Sequence, residues 1–196
     1  MKVLLIGTGL VGGAASSALV ERGHEVVEAS RSSSPAVDVT SPDSIAALFA
    51  TVGTVDAVVA AVGKAPFKPL AELDHDDFVS GLLAKAAAQI DIVQIGTPYV
   101  SDGGSFTLTT GILGREPIVT GAASSAANGA IEAFTMAAAI ELPRGLRINT
   151  VSPTVLEEAT NHHAHFPGWS QVSAAAVGQA YVKAVEGAHT GRVYAL

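Results

Sequence analysis

Residues 2–12 read KVLLIGTGLVG, and this stretch decides the fold class. The apolar run from Lys2 to Ile6 ends in glycine, which is typical of a buried parallel strand. Gly7-Thr8-Gly9-Leu10-Val11-Gly12 fits the pattern G-x-G-x-x-G, and the residues from Leu10 to Glu21 have helical spacing. A glycine-rich loop between a strand and a helix is the arrangement that holds a dinucleotide pyrophosphate. The alternative interpretation is a tight turn that binds no ligand.

The three glycines of this loop have separate physical tasks. Gly7 is expected to make the tight turn, Gly9 to let the backbone approach a pyrophosphate, and Gly12 to let helix and sheet pack closely. The helix N-terminus adds unpaired N–H groups and a partial positive charge. The whole loop, with Thr8, Leu10 and Val11, is therefore predicted to contact the cofactor.

The end of the second predicted strand, residues 24–29, indicates which dinucleotide is bound. Ser30 and Arg31 follow it, where an NAD-binding protein tends to place an acid for the ribose hydroxyls. A guanidinium and hydroxyls suit a 2′-phosphate, so NADP(H) is favoured over NAD(H); the alternative is an exposed surface arginine. Asp38 and Val39 follow a short third strand. Asp38 either reaches the adenine amine or forms the turn into the next helix.

Strands and helices alternate along the chain, which predicts α/β structure with a parallel sheet covered by helices on both faces. The predicted strands are 2–6, 24–29, 37–39, 55–61, 105–109, 146–151 and 192–194. The predicted helices are 10–21, 41–49, 74–98 and 123–142. Residues 1–196 are predicted to form one domain, and the irregular stretch 153–171 is predicted to be a lid over the substrate.

Composition excludes several classes of function. Hydrophobic residues make up 48% of the 196 residues, charged residues make up 15%, and the net charge is −7. This charge argues against nucleic acid and anionic membrane surfaces as partners. No apolar run looks long enough to span a bilayer. The absence of cysteine excludes disulfides and thiolate nucleophiles, which fits a cytoplasmic protein.

The stretch from Glu141 to Pro153, ELPRGLRINTVSP, resembles the segment of the short-chain dehydrogenase/reductase family that joins its active-site helix to its sixth strand. Gly103-Gly104-Ser105 resembles the start of that family's fifth strand. Ala60-Ala61-Val62-Gly63 stands where the family usually has Asn-Asn-Ala-Gly. The resemblance implies a three-layer, doubly wound Rossmann fold with about seven strands in order 3-2-1-4-5-6-7. It also implies that Ala61, Val62, Gly63, Pro153 and Thr154 contact the cofactor.

The residues at the family's catalytic positions depart from its pattern. The usual tyrosine falls on Ser124, the lysine four residues on falls on Asn128, and the asparagine falls near Lys85. The usual serine falls on Gly111, next to Thr110. Hydride transfer to a carbonyl needs a proton donor, and a serine hydroxyl is a far weaker acid than a tyrosine tuned by lysine. Thr110, Ser124, Asn128 and Lys85 are the catalytic candidates.

Four features carry alternative hypotheses. Thr110 either polarises a carbonyl or bonds to nearby backbone, and Lys85 is either a donor or a solvated helix lysine. Tyr99 is a possible acid, although packing is favoured for it. His162, His163 and His165 lack the spacing of a metal site, so no metal is predicted and a solvated or pH-sensitive loop is favoured.

Two functional hypotheses follow. The first is an NADP(H)-dependent oxidoreductase of the short-chain type that acts on a small carbonyl or alcohol substrate through a non-standard active site. The second is a cofactor-binding protein without turnover, such as a redox sensor. A metal-dependent hydrolase is a distant third. The resemblance further implies a homodimer or homotetramer assembled through the long helices 75–98 and 123–142.

Overall fold

A computed structural model describes all residues, 1–196, and they form one parallel six-stranded sheet with helices on both faces. The strands are β1 (Lys2–Ile6), β2 (Glu25–Ala29), β3 (Val55–Ala60), β4 (Val100–Thr109), β5 (Arg147–Ser152) and β6 (Arg192–Ala195). The helices are α1 (Leu10–Glu21), α2 (Pro42–Val52), α3 (His75–Gly81), α4 (Ala88–Gly96), α5 (Ala122–Ala138) and α6 (Ala174–Glu186). The spatial order of the strands is β2-β1-β3-β4-β5-β6. This is the predicted Rossmann-like α/β fold.

The sheet has six strands rather than about seven, because the predicted third strand does not form. Residues 37–39 lie outside the sheet, and only Ser30 and Ala36 make an isolated bridge beside β2. Side chains take the place of backbone pairing here: the Ser30 N–H donates to Ser33 Oγ at 2.6 Å, and that hydroxyl donates to the Pro35 carbonyl at 2.7 Å. Serine-rich segments compete with strand pairing in this way. Without this edge strand, the predicted order reduces to the observed one.

Alternate residues of β1 supply the two halves of the core, as the two-residue period of a strand requires. Leu4 and Ile6 belong to a cluster of 19 buried residues that also contains Phe49 of α2, Ile92 of α4 and Ile131 of α5. The other face of β1 faces a second cluster of 15, formed with α1 and α6. Helix α6 is missing from the sequence prediction, and it packs Val177, Tyr181 and Val185 into this second cluster.

The predicted helix starts at Ser41 and Asp74 are confirmed by their caps. Ser41 Oγ accepts the Ser44 N–H, with Pro42 as the first helical residue. Asp74 and Asp77 cap each other's backbone in a capping box at the start of α3. Such caps satisfy N–H groups that the first helical turn leaves without partners.

The long helix predicted from Asp74 to Pro98 is continuous but changes its hydrogen-bonding pattern in the middle. Between α3 and α4, residues Leu82–Ala87 form a π-helical segment, and Thr97–Tyr99 close the stretch with a 3₁₀ turn. His75–Tyr99 is 25 residues long with a mean hydropathy of 1.3, so by length and composition alone it could cross a membrane. The expectation that no apolar run is long enough to span a bilayer therefore does not hold for this stretch by length and composition alone. In the structure this stretch packs against α2, α5, β3 and β4 as a layer of the domain.

Candidate functional site

The glycine loop after β1 has the geometry that its sequence predicts. Gly7 has a φ of +100°, in the left-handed region, and its N–H donates to the Ala29 carbonyl at 2.8 Å. A Cβ at Gly12 would overlap the Gly7 carbonyl oxygen. A side chain at Gly7 would likewise overlap the Ala61 carbonyl. The backbone is therefore packed too tightly at both positions for any other residue.

Gly9 differs from its two neighbours, because a Cβ there would meet no atom within 4 Å. It is the N-cap residue of α1, and no side chain caps that helix. The first N–H groups of α1 are consequently left for a ligand, and the space beside Gly9 lets that ligand approach. Thr8 and Leu10 instead border a surface cleft shared with α6.

A cavity of about 470 Å³ opens at the carboxyl ends of β1, β2 and β3. We call it the loop cavity. Its walls include nine of the residues predicted to bind the cofactor: Gly7, Gly9, Ser30, Arg31, Asp38, Val39, Ala61, Val62 and Gly63. Ligands of open α/β sheets bind at this edge of the sheet. The structure therefore gathers residues from four separate segments around one space.

Arg31 and Asp38 face the outer end of the loop cavity. Arg31 is exposed and has no carboxylate partner within salt-bridge distance. Asp38 accepts hydrogen bonds from the Thr40 hydroxyl at 2.7 Å and the Thr40 N–H at 3.0 Å, and these bonds lower the pKa of Asp38. Asp38 thus forms the turn toward α2 and also borders the cavity, while the Arg31 guanidinium is free for an anion.

A second cavity, of about 520 Å³, adjoins the first at Gly63 and Lys64. We call it the catalytic-side cavity. All four catalytic candidates line it, together with predicted cofactor contacts from the loop and from the lid: Lys85, Thr110, Ser124, Asn128, Val11, Pro153 and Thr154. The residues lie far apart in sequence, on α1, the π-helical segment, the end of β4, α5 and the segment after β5. The fold therefore places every predicted catalytic residue around one space.

Two polar side chains in the wall of this cavity lack hydrogen-bond partners. Asn128 is 1% exposed and its Oδ1 is unpaired, and Thr154 is 9% exposed with an unpaired Oγ1. Ser124 is 6% exposed, and its side chain lines the same cavity. Buried polar groups are nearly always paired, and leaving one unpaired costs about 1–3 kcal/mol. These three groups are positioned to bind a polar ligand.

Lys85 is the charged group on the inner wall of the catalytic-side cavity. It lies on the π-helical segment, and its stem packs so closely on Gly63 that a Cβ there would overlap it. Its ammonium has no carboxylate within salt-bridge distance, and burial lowers the pKa of Lys85 to about 8. Of the two alternatives for Lys85, its position in the cavity wall and the lowered pKa favour a donor over a solvated helix lysine.

The Thr110 hydroxyl is less available to a substrate carbonyl than the sequence suggests. Its hydroxyl donates to Glu132 Oε1 at 3.0 Å, and the same oxygen accepts from the Ser152 hydroxyl at 3.2 Å and from Arg115. Glu132 is 9% exposed and lies on α5, one turn beyond Asn128. Thr110 is therefore bonded to a carboxylate rather than to backbone, and its proton is directed away from the cavity.

Glu132 and Gln89 are site-forming residues that the sequence analysis missed. Gln89 is fully buried on α4, where its amide donates to the carbonyls of Val62 and Thr109 and accepts the Thr109 N–H, each at 2.9 Å. It thereby joins the end of β4 to the segment that separates the two cavities. A signal existed for Glu132, since it continues the four-residue spacing of Ser124 and Asn128 along one helix face.

The predicted lid, residues 153–171, covers one side of the catalytic-side cavity. Leu156, His162 and Phe166 contribute to its wall. His163 contacts the Leu156 carbonyl at 2.9 Å and Gln171 at 3.3 Å, which holds the lid together. No group of three histidine, cysteine, aspartate or glutamate side chains in the chain is placed to hold a metal ion.

Tyr99 lies far from the site. It stacks on Phe49 with ring centroids 5.4 Å apart, just before β4 begins. Thr110 follows the other end of that strand, which bulges between Val100 and Ser105 and advances by about six residues along β3, so it lies about 20 Å away at about 3.3 Å per residue. Packing, the favoured interpretation for Tyr99, is thus confirmed.

Comparisons with known proteins agree with this architecture. Residues 7–195 match the family model described as enoyl-(acyl carrier protein) reductase. The crystal structure of the protein lin1944 from Listeria innocua is 47% identical, with a TM-score of 0.97 over 100% of this chain and 99% of that one. A small-chain dehydrogenase is 26% identical, with a TM-score of 0.86 and coverage of 100% and 95%. Another small-chain dehydrogenase, solved in complex with NADPH, is 24% identical, with a TM-score of 0.88 and coverage of 100% and 96%. No curated protein matches the sequence significantly.

Proposed function

The chain belongs to the short-chain dehydrogenase/reductase family of oxidoreductases, and on that premise we propose that it transfers hydride between NADP(H) and a small carbonyl or alcohol substrate. The observation that carries the proposal is the pair of adjoining cavities. One is walled by the glycine loop and Arg31, and the other by unpaired polar groups and a lysine. A dinucleotide laid across their junction at Gly63 would bring its reactive end into the second cavity.

The residues present fit such a cofactor. The open space at Gly9 and the uncapped start of α1 suit a pyrophosphate. The orphaned hydroxyl of Thr154 suits a polar group at the other end, beside Pro153. Ser30 and the unpaired Arg31 suit a 2′-phosphate and thus favour NADP(H) over NAD(H). A structural neighbour that was solved with NADPH supports the same choice.

Lys85 is the proton donor best supported by the geometry. The bound cofactor supplies the hydride that a carbonyl carbon accepts. The carbonyl oxygen keeps the π-electron pair and needs a proton, which Lys85 Nζ can give. The neutral amine then takes a proton back from solvent. A pKa of about 8 leaves the amine mostly protonated at neutral pH and still able to release a proton. Ser124 and the Asn128 amide would orient the carbonyl, while the lid excludes water.

The second candidate function is cofactor binding without turnover. The observation that favours it is the withdrawal of Thr110 into the Glu132 network, combined with the absence of tyrosine and lysine from positions 124 and 128. Under this hypothesis Lys85 would contact the cofactor and transfer no proton. The two functions differ in whether NADPH is consumed.

A titration of the protein with NADPH and with NADH, followed by cofactor fluorescence, tests the proposal first. Gly9→Ala should keep the fold and lose most of the affinity, because its methyl group fills the open space beside α1. Gly13→Ala is the matched control. A Cβ at Gly13 also meets no atom within 4 Å, and Gly13 lies one helical turn after Gly9. Arg31→Ala should weaken NADPH by about ten- to a hundredfold and leave NADH unchanged.

Two results would contradict the proposal. If neither cofactor bound, the glycine loop would be a turn without a ligand, and both candidate functions would be contradicted. Tight NADPH binding with no NADPH consumption across a broad panel of aldehydes, ketones and oxo acids would favour the second function over the first.

We also propose that the protein assembles as a homodimer or homotetramer and acts in the cytoplasm. Large apolar side chains lie exposed on the two long helical stretches and on the turn that follows α5: Val79, Leu82, Leu83, Met136 and Ile140. Burying such side chains between copies would stabilise an assembly. Light scattering of the wild type and of Met136→Glu tests this, and a monomeric wild type would contradict it.

A further inference from the structure

The charges around the catalytic-side cavity are opposite in sign to those of the protein as a whole. The chain carries 18 acidic and 11 basic residues, for a net charge of −7. The residues that line this cavity nevertheless include Lys64, Lys85 and His162 and no aspartate or glutamate. A cavity of one charge sign attracts ligands of the other.

The three basic groups occupy two separate positions. Lys85 lies on the inner wall against Gly63. Lys64 and His162 are exposed, one beside the segment that separates the two cavities and the other on the lid, so they lie at the rim. The wall also includes apolar side chains such as Phe67, Leu113, Val155 and Phe166.

No protein carboxylate neutralises these groups. Lys64 and Lys85 take part in none of the five ion pairs of the protein. Glu132, the buried carboxylate behind Thr110, is paired with Arg115 and bonded to two hydroxyls. The two exposed basic groups at the rim, Lys64 and His162, are therefore available to an anion brought by the ligand.

We propose that the substrate is a carbonyl compound that carries a carboxylate, with the carbonyl beside Lys85 and the carboxylate held at the rim by Lys64 and His162. This inference rests on the proposed function, and it adds the chemical class of the substrate. The apolar part of the wall accommodates the short carbon chain between the two groups.

Three matched probes test it in the presence of NADPH: 4-oxobutanoate, its methyl ester, and butanal. All three present an aldehyde on a short chain, and the first alone carries a charge. We expect kcat/KM for 4-oxobutanoate to exceed that for the other two by at least about tenfold. The advantage should shrink as the salt concentration rises, because the rim groups are exposed to solvent.

Lys64→Gln and His162→Gln should each reduce the preference for 4-oxobutanoate, chiefly through KM. Lys68→Gln is the matched control, since Lys68 is an exposed lysine that pairs with Asp77 and lines neither cavity. Because Lys64 also borders the loop cavity, NADPH affinity is measured separately for each variant.

Butanoate tests the anion site without turnover, since it has no aldehyde or ketone group to reduce. It should bind to the NADPH-loaded protein, and Lys64→Gln should weaken that binding while Lys68→Gln does not. Equal reduction of the ester, the aldehyde and the acid would overturn the inference and leave the proposed function standing. Failure of butanoate to bind would also overturn it. Lys64-dependent binding of butanoate without any NADPH consumption would support the anion site and contradict the proposed function instead.

Discussion

The two cavities are built by different means, although they meet at Gly63. The loop cavity owes its shape to backbone: the left-handed Gly7, the close approach of Gly12, and the open space beside Gly9. The catalytic-side cavity owes its properties to side chains from six segments, among them Lys85, Ser124 and Asn128. Backbone geometry leaves few substitutions possible, whereas a side chain can be replaced without disturbing the fold. The proposed cofactor binding and the proposed proton transfer therefore depend on different parts of the molecule.

Gly12→Ala should have the largest effect, because it disrupts the backbone packing that shapes the loop cavity. The new methyl group would overlap the Gly7 carbonyl oxygen, so the loop must move or the helix must separate from the sheet. We expect NADPH binding to be abolished and the free energy of unfolding in urea to fall by about 3 kcal/mol or more.

Gly13→Ala provides the comparison for this variant. Its Cβ meets no atom within 4 Å, and alanine is the better helix former by about 0.8–1.0 kcal/mol, so the stability should rise slightly. If both variants bound NADPH equally well, the tight packing at Gly12 would have no role in binding.

Lys85→Met should have the next largest effect, and it tests the side-chain-built region alone. Loss of a positioned proton donor lowers the rate by about 10²–10⁴, while NADPH affinity should stay close to that of the wild type. In the wild type, reduction should slow as the pH rises through about 8, because the amine loses the proton it must give. Alcohol oxidation should change in the opposite direction. Measurements of kcat from pH 6 to pH 10 check both, and the pH dependence should vanish in Lys85→Met.

The lowered pKa of Lys85 also leads to a prediction about the pH dependence of stability. Lys64 and His162 are the other titratable groups that line the cavity with Lys85, and no carboxylate lines it. Between about pH 8 and 10.5 the unfolded chain holds a proton at residue 85 that the folded chain lacks. The free energy of unfolding of the wild type should therefore rise relative to that of Lys85→Met as the pH increases through this range. A constant difference would show that Lys85 is not desolvated.

Glu132→Gln should have an intermediate effect, and it tests how much the Glu132 hydrogen-bond network contributes to stability. The substitution removes the charge that Arg115, Thr110 and Ser152 share. We expect a loss of about 1.5–3 kcal/mol in urea unfolding, in line with hydrogen bonds to charged groups. Glu141→Gln, on the exposed turn after α5, is the control and should change stability little. Unchanged stability of Glu132→Gln would contradict the structural role of the network.

Ser124→Ala should have the smallest effect of the series. Its side chain lines the catalytic-side cavity, so removal of its hydroxyl costs one hydrogen bond to the substrate, about 0.5–1.5 kcal/mol. That corresponds to about a two- to tenfold loss in kcat/KM. A loss as large as that of Lys85→Met would make Ser124 the principal group at the carbonyl and would contradict the role given to Lys85.

The sequence predicted the backbone-built region better than the side-chain-built region. Gly7, Gly12 and the caps at Ser41 and Asp74 depend on local geometry, and local geometry is encoded within a few residues. The predicted edge strand at 37–39 failed because hydrogen bonds from Ser33 replace its pairing. Helix α6 was missed although its buried residues follow a helical period.

Contacts between distant segments could not be predicted in the same way. Arg115 appears in the sequence beside Glu116, yet it pairs with Glu132 on α5. Gln89 bonds to the ends of two strands, which the fold alone brings within reach of α4. The sequence supplied the candidate residues that line the two cavities but missed Glu132 and Gln89, and the role of each residue depends on which neighbours it contacts.

The π-helical segment Leu82–Ala87 has a consequence for how the genes of relatives should be compared. A π-turn closes its hydrogen bonds one residue later than an α-turn, so it behaves as an α-helix with one inserted residue. Loss of a single codon there would allow α3 and α4 to join as one continuous α-helix. The side chains on either side would keep their faces, because the π-turn already absorbs the extra residue, but the local displacement of the segment that carries Lys85 would be lost. A one-residue gap at this place in an alignment would thus mark a change in the position of the cavity-lining residue Lys85, with the rest of the fold unaltered.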